Sequence, residues 1–303
     1  GALLVEMVAI GVCGTDREIL EGLYGAAPAG SGFSRGDCVV PIVRRPDPAP
    51  CPCCAAGEWD MCLNGRYTER GISGRDGFAS ERFRLEPAFA VKVDAALGEL
   101  AVLLEPASVV AKAWEQIERI GRRACFQPRR VLVAGGGPIG LLAALLGSQR
   151  GYEIHVVERS RSGPKPELIG GLGAVHHSDM ETVKKACGGF DIALECTGAA
   201  RVVLDVLCAA GPGSIACLTG VSSGKRLIEL DVAGLNRGIV LENAVVFGTV
   251  NANRRHYEQA AEALGKADPS WLSRLVSRRV PLERWKDAVT RQQGDVKVAL
   301  VPR

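Results

Sequence analysis

The sequence predicts an α/β protein in which a β-rich region is joined to a doubly wound parallel sheet. Three observations predict it. From Arg130 onward, short apolar strands alternate with helical stretches, the pattern of a parallel sheet covered on both faces. A glycine-rich loop, Gly135 to Gly140, joins the first of those strands to its helix. Before residue 105 the texture differs, being rich in Gly and Pro with short β-type runs. A length of 303 residues suits two domains, and 47% hydrophobic with 23% charged residues supplies an ordinary globular core. The formal net charge of +3 is too small and too dispersed to point to nucleic acid or an anionic membrane. No apolar run is long enough to span a bilayer and no signal peptide opens the chain, so the expected location is cytoplasmic.

Taken in order, Ala2–Val8, Cys38–Val43 and Phe89–Val93 read as strands of the β-rich region. Leu104–Ile120 carries apolar residues at helical spacing. Val131–Ala134 is a buried strand, Ile139–Gln149 its helix, and Ile154–Val157 the second strand. Phe190–Glu195 and Ser214–Leu218 continue the series. Beyond Asn251 come a helix over Tyr257–Leu264 and a closing strand over Val296–Val301.

The loop reads Gly135-x-Gly137-x-x-Gly140, with Gly136, Pro138 and Ile139 at the intervening positions. The first glycine makes the tight turn, the second lets backbone approach a pyrophosphate, and the third lets helix pack on strand. The helix start then offers free N–H groups and the positive end of its dipole to phosphate. A strand precedes the loop, a helix follows it, and Glu158 ends the next strand at the expected distance. Together these identify a Rossmann-type dinucleotide site. Glu158 suits the ribose diol of NAD, whereas Arg159 and Arg161 suit a 2′-phosphate, so NAD and NADP both stay open.

Of 11 cysteines, four crowd into residues 51–62, which in a chain of this size reads as a metal site before it reads as disulfides. Cys51-x2-Cys54-x7-Cys62 can supply three thiolates to a tetrahedral structural zinc, with Asp47 or Cys53 as the fourth ligand. Cys125, Cys187, Cys196, Cys208 and Cys217 sit in apolar surroundings and read as small buried hydrophobes. A second constellation, Gly11-Val12-Cys13-Gly14-Thr15-Asp16, follows a strand.

With that constellation, the cysteine lobe and the Rossmann half in view, the chain resembles the zinc-dependent medium-chain alcohol dehydrogenases. More narrowly it is similar to their glucose dehydrogenase branch. The narrow match is carried by Cys13-Gly14-Thr15-Asp16-Arg17-Glu18-Ile19, Glu69-Arg70-Gly71-Ile72, Leu104-Glu105-Pro106-Ala107-Ser108-Val109-Val110 and Gly248-Thr249-Val250-Asn251. The resemblance implies a GroES-like catalytic domain over residues 1–106 and 252–303, a Rossmann domain over 107–251, and assembly as a dimer or tetramer. It implies that Cys13 and Glu105 hold a catalytic zinc and that Thr15 touches substrate and nicotinamide. Glu69 and Asn251, with Glu105, would hold the sugar hydroxyls. Thr219, Gly220, Val221, Thr249, Val250, Asn251 and Lys297 would border the cofactor. The implied reaction is oxidation of an aldose, β-D-glucose, at C1 to the lactone, with hydride passing to NAD or NADP and the proton leaving through Thr15. Such residues suit the task, since thiolate binds zinc tightly and carboxylates and amides suit polyhydroxy ligands. Another zinc-dependent polyol or alcohol dehydrogenase, or a zinc-less dinucleotide-binding homologue, stands beside it.

The sequence departs from the family at one point. The Gly-His-Glu segment that supplies a histidine to the catalytic zinc is absent between the Cys13 motif and the cysteine lobe; Ala26–Gly30 runs straight into Ser31–Asp37. Either a segment of the protein is missing from this sequence, which is the expectation, or the protein has lost that ligand. The four histidines are His155, His176, His177 and His256, and all are expected to pack or to face solvent rather than to bind metal.

Overall fold

The computed structural model describes residues 2–12, 32–34, 36–222 and 225–302. The chain divides into two compact units, Gly1–Ser108 with Asn251–Arg303, and Val109–Val250.

The first unit opens with β1 (Leu3–Glu6), β2 (Ile10–Val12), β3 (Val39–Pro41), β4 (Arg44–Arg45), the short helix α1 (Pro52–Ala55), β5 (Thr68–Arg70), β6 (Gly74–Arg75), β7 (Arg82–Leu85) and β8 (Ala90–Lys92). β1 runs antiparallel to β7, so that Leu3 faces Leu85, and β3 runs antiparallel to β8. Buried Leu3, Leu85 and Ala90 gather Val5, Phe33, Val39 and Phe83 around them, a small core typical of a β-rich lobe. β4, β5 and β6 form a separate three-stranded sheet that carries Glu69.

The helix α2 (Leu104–Gly121) leads into the second unit. There the strands are β9 (Arg130–Ala134), β10 (Glu153–Val157), β11 (Val175–His177), β12 (Phe190–Glu195), β13 (Ala210–Leu218) and β14 (Val245–Gly248). The helices between them are α3 (Pro138–Ser148), α4 (Pro164–Gly171), α5 (Met180–Cys187), α6 (Ala200–Leu207) and α7 (Val232–Leu241). The sheet order is β11-β10-β9-β12-β13-β14, parallel throughout, with the order reversing between β9 and β12. Ligands of open α/β sheets bind at the carboxyl ends of strands beside such a reversal. Val131 to Ala134 have no exposed surface, which explains their unbroken apolar run: helices cover both faces. The chain then returns to the first unit as α8 (Arg254–Gly265), α9 (Pro269–Leu275), β15 (Val276–Pro281), α10 (Trp285–Val289) and β16 (Lys297–Val301). β16 lies between β15 and β2.

Beyond residue 105, three strands among the described residues lie outside the runs that the sequence reads as strands. β11 is three residues long and two of them are histidine, β14 is a short edge strand, and Arg278 and Arg279 interrupt the apolar pattern of β15. Two cysteines correct the expectation of burial: Cys125 and Cys208 are exposed, because one follows the end of α2 and the other caps α6, where the chain turns at the surface. Among the described residues no helix is long and apolar enough to cross a membrane.

Candidate active site

The phosphate loop starts where β9 ends. Gly135 has φ +114°, a left-handed region that favours glycine, and a β-carbon there would lie 2.7 Å from Thr197 Cγ2. A β-carbon on Gly140 would lie 1.7 Å from the Gly135 carbonyl oxygen, so the helix can approach the turn only with glycine there. Gly137 is different, because a β-carbon there meets nothing within 4 Å. Its backbone faces open space at the start of α3, and no side chain caps that end. An uncapped helix start over an open cradle is what a pyrophosphate requires, so the loop fits a dinucleotide.

Glu158 follows β10, and its carboxylate accepts from Gly136 N at 3.2 Å, Ser160 N at 3.0 Å and Lys165 Nζ at 3.0 Å. Burial pushes this carboxyl upward, but the Ser160 N–H and the Lys165 ammonium outweigh it and hold the group below its usual range. Lys165, on α4, escaped the sequence reading; its only signal was a basic residue near Glu158. Arg159 and Arg161 are exposed.

At the neighbouring strand ends, buried Glu195 closes β12, and its carboxylate accepts from Thr197 N at 2.7 Å and Gly198 N at 3.1 Å. Thr219 donates its hydroxyl to Glu195 O at 2.8 Å, and Gly220 N donates to the same carbonyl at 3.1 Å. Val221 is exposed. Thr249 N is held by Leu218 O, while Thr249 Oγ1 is buried without a partner. Lys112 Nζ fixes the Val250 carbonyl at 3.0 Å. Thr219, Gly220 and Thr249 therefore stand at the carboxyl ends of adjacent strands, as does the phosphate loop. An orphaned hydroxyl in that row fits a ligand with a polar edge, such as a nicotinamide carboxamide.

In the other unit, Glu69 on β5 and Asn251 come together although 182 positions separate them: Asn251 Nδ2 donates to Glu69 Oε1 at 2.6 Å. Arg44 Nε donates to the same oxygen at 3.0 Å, and the Arg44 side chain is 5% exposed. Asn251 Oδ1 accepts from Ala252 N at 2.8 Å, so one amide hydrogen is left for a further acceptor. Asn251 has φ +60°, a conformation asparagine tolerates better than most residues. Glu105 lies exposed in the first turn of α2, where Ser108 Oγ donates to its carbonyl. Lys297 is buried on β16. Cys13 and Thr15 lie outside the described residues.

The thiols of Cys51, Cys54 and Cys62 lie within 4.8 Å of one another, so the lobe fits a zinc ion. Backbone N–H groups of Cys54 and Leu63 hold the Cys51 thiol down to about 6, whereas burial pushes Cys54 up to about 11. Asp47 does not turn toward this group. Its carboxylate accepts from Ala49 N at 2.8 Å, Asn64 Nδ2 at 2.8 Å and Arg66 Nε at 3.3 Å, and so braces the loop.

A family profile described as "Glucose dehydrogenase C-terminus" matches residues 98–301. The chain is 37% identical to a glucose 1-dehydrogenase of Methanocella arvoryzae, covering 98% of this chain and 91% of that one. It is 36% identical to a glucose 1-dehydrogenase of Thermoproteus tenax over 99% and 91% of the two chains. Among solved structures, a glucose dehydrogenase of Haloferax mediterranei in complex with NADP, Zn and gluconolactone superposes with a TM-score of 0.88 at 29% identity, covering 100% of this chain and 92% of that one. The match to the Methanocella relative runs over 327 positions against 303 residues here, so that relative has residues without a counterpart in this sequence. Sequence, fold and site together place this chain in the glucose dehydrogenase branch of the zinc-dependent alcohol dehydrogenase superfamily.

Proposed function

We propose that the protein oxidises β-D-glucose at C1 to gluconolactone, passing hydride to NAD or NADP. The observation that carries this is the Arg44–Glu69–Asn251 cluster. It presents a carboxylate and an oriented amide, the pair suited to vicinal hydroxyls, on a chain whose relatives are glucose 1-dehydrogenases. Glu69 accepts a sugar hydroxyl and Asn251 donates its remaining amide hydrogen, which fixes the ring. Gly137 and the start of α3 take the pyrophosphate, Glu158 takes the adenosine ribose, and Thr219, Thr249 and Val250 border the nicotinamide. Cys13 and Glu105 are the residues to hold the catalytic zinc, with Thr15 carrying the departing proton to solvent. Bound there, zinc supplies Lewis acidity toward the C1 oxygen and lowers its proton affinity. Cys51, Cys54 and Cys62 hold a second, structural zinc.

A second copy of the chain is the proposed partner. Among the described residues β14 is the sheet's edge, α7 buries none of its residues, and Val232, Val240 and Leu241 are 61–71% exposed. An open edge beside exposed apolar side chains suits sheet-to-sheet pairing.

A second reading is a dinucleotide-binding homologue without turnover, favoured by the absence of the Gly-His-Glu segment. Assay of the zinc-loaded protein across aldoses, polyols and simple alcohols separates the readings. Preference for glucose supports the proposal, preference for an acyclic alcohol points to another dehydrogenase of the superfamily, and dinucleotide binding without turnover supports the second reading.

A further inference from the structure

The sheet face covered by α5 carries a cluster that the dehydrogenase reaction does not use. His155 lies mid-way along β10, His177 ends β11, and Cys187 is the last residue of α5. His155 Nδ1 is 3.0 Å from His177 Nε2, and Cys187 Sγ is 3.2 Å from His155 Nδ1. All three residues are more than nine-tenths buried, against Met180, Val183 and Phe190. Strand register explains the meeting. His155 and His177 occupy positions two residues apart in register on neighbouring parallel strands, hence on one face, and α5 brings its C-terminal end over that face.

We infer that His155, His177 and Cys187 form a site for a zinc-class divalent cation in the cofactor unit, distinct from the cysteine lobe and from the Cys13 constellation. Two imidazole nitrogens and one thiolate sulfur are borderline-soft donors of the kind zinc selects, and three protein ligands leave a fourth position for water. The outer arrangement agrees. Glu153 Oε1 lies 2.9 Å from His155 Nε2. A carboxylate there places the ring N–H on Nε2 and aims the Nδ1 lone pair at His177, with Cys187 Sγ over the ring beside it, in keeping with the carboxylate–histidine–metal arrangement of many zinc centres. A core filled by packing alone would gain nothing from two facing imidazoles, each of which costs desolvation. On binding, the Cys187 thiol proton leaves to solvent, and the His177 ring hydrogen resides on Nδ1. Cys187 Sγ also lies 3.5 Å from His155 Nε2, so ligation swings the thiolate toward the Nδ1 side.

The site would tie β10 to β11 just before Glu158, whose N–H donates to His177 O at 2.9 Å and whose carbonyl meets His176 Nε2 at 2.8 Å. An ion here therefore braces the strand end that carries the ribose-binding carboxylate. This inference does not depend on the proposed reaction, because its readout is metal content.

The experiment loads the purified full-length chain with zinc chloride, desalts it and measures zinc per chain for wild type, Cys187→Ala, His177→Asn and Cys51→Ala. The Cys187 and His177 variants are expected to carry one equivalent less than wild type, with Cys51→Ala losing a different equivalent additively. Cobalt chloride supplies the second readout: the sulfur-to-cobalt charge-transfer absorbance of wild type should fall by one thiolate's contribution in Cys187→Ala. Cys187→Ala keeps an apolar side chain at a core position, so folding is preserved, with circular dichroism as the check. Equal zinc content and equal cobalt spectra in wild type and folded Cys187→Ala would overturn the inference.

Discussion

Asn251 donates to Glu69 Oε1 at 2.6 Å on the same oxygen that Arg44 holds at 3.0 Å. The two residues proposed to hold sugar hydroxyls thus position each other, and a buried guanidinium fixes the carboxylate. Replacing Glu69 with Gln keeps the shape but leaves Arg44 without a charged partner. Stability should fall by about 3 kcal/mol, the usual cost of breaking a buried pair from one side. KM for glucose should rise at least ~10-fold, with NADP affinity unchanged, because the change removes ground-state contacts to sugar alone. Thermal unfolding, sugar kinetics and dinucleotide titration check the three parts.

Gly137 and Gly140 should behave oppositely. Gly137→Ala meets nothing within 4 Å and keeps an ordinary φ of −81°, so its unfolding midpoint should stay within ~2 °C of wild type. Dinucleotide Kd should rise about 10-fold or more, because the methyl fills the pyrophosphate cradle. Gly140→Ala would put a carbon 1.7 Å from Gly135 O and should impair folding itself. A Gly137→Ala variant that bound NADP normally would remove the cradle from the account.

Cofactor choice should turn on Glu158. Its carboxyl is half-buried but held below the usual range by Ser160 and Lys165. A depressed group is charged above its ordinary value and loses its charge only as pH falls through the lower one. NAD affinity should therefore show no inflection from this residue between about pH 5 and 8. Glu158→Ala should lower kcat/KM for NAD about 10-fold and reduce that for NADP less, since Lys165 is then freed, beside the exposed Arg159, for a 2′-phosphate. Paired kinetics with both cofactors decide it.

Arg278 grips Asp295 with two bonds, 3.0 and 2.7 Å, and also reaches Asp287 O and Thr290 O. Arg278 lowers the Asp295 carboxyl below its ordinary value. The stability it confers is complete above the unfolded value near ~4 and is lost as pH falls through the folded one. Asp295→Asn should cost about 2 kcal/mol at neutral pH, a midpoint drop of a few degrees. The two unfolding curves should converge at low pH; a constant difference would contradict the ion pair.

What the sequence made legible was local. The glycine loop, the strand before it and Glu158 after it lie within one βαβ unit, where each residue's role follows from its neighbours. Glu69 and Asn251 drew attention through resemblance, and their hydrogen bond could not be read because nothing local links β5 to the segment before α8. Arg44 is an arginine beside another arginine, a pattern of solvated charge, until the three-stranded sheet buries it against Glu69. Asp47 illustrates the reverse: its spacing suggested a metal ligand, and its carboxylate instead holds Asn64 and Arg66. Taken one by one, the histidines read as packing or solvent-facing residues. Only the register of β10 on β11 places two of them on one face with Cys187.

The proposed reaction is hydride transfer from glucose C1 to a nicotinamide held on the Gly135–Gly140 loop. The most direct measurement follows label from β-D-glucose deuterated at C1, using the zinc-loaded protein and oxidised cofactor. Deuterium should appear on nicotinamide C4 of the reduced cofactor, one per gluconolactone formed, with a slowed chemical step. Lactone formed without deuterium in the cofactor, or no transfer from glucose under conditions where the dinucleotide binds, would contradict it.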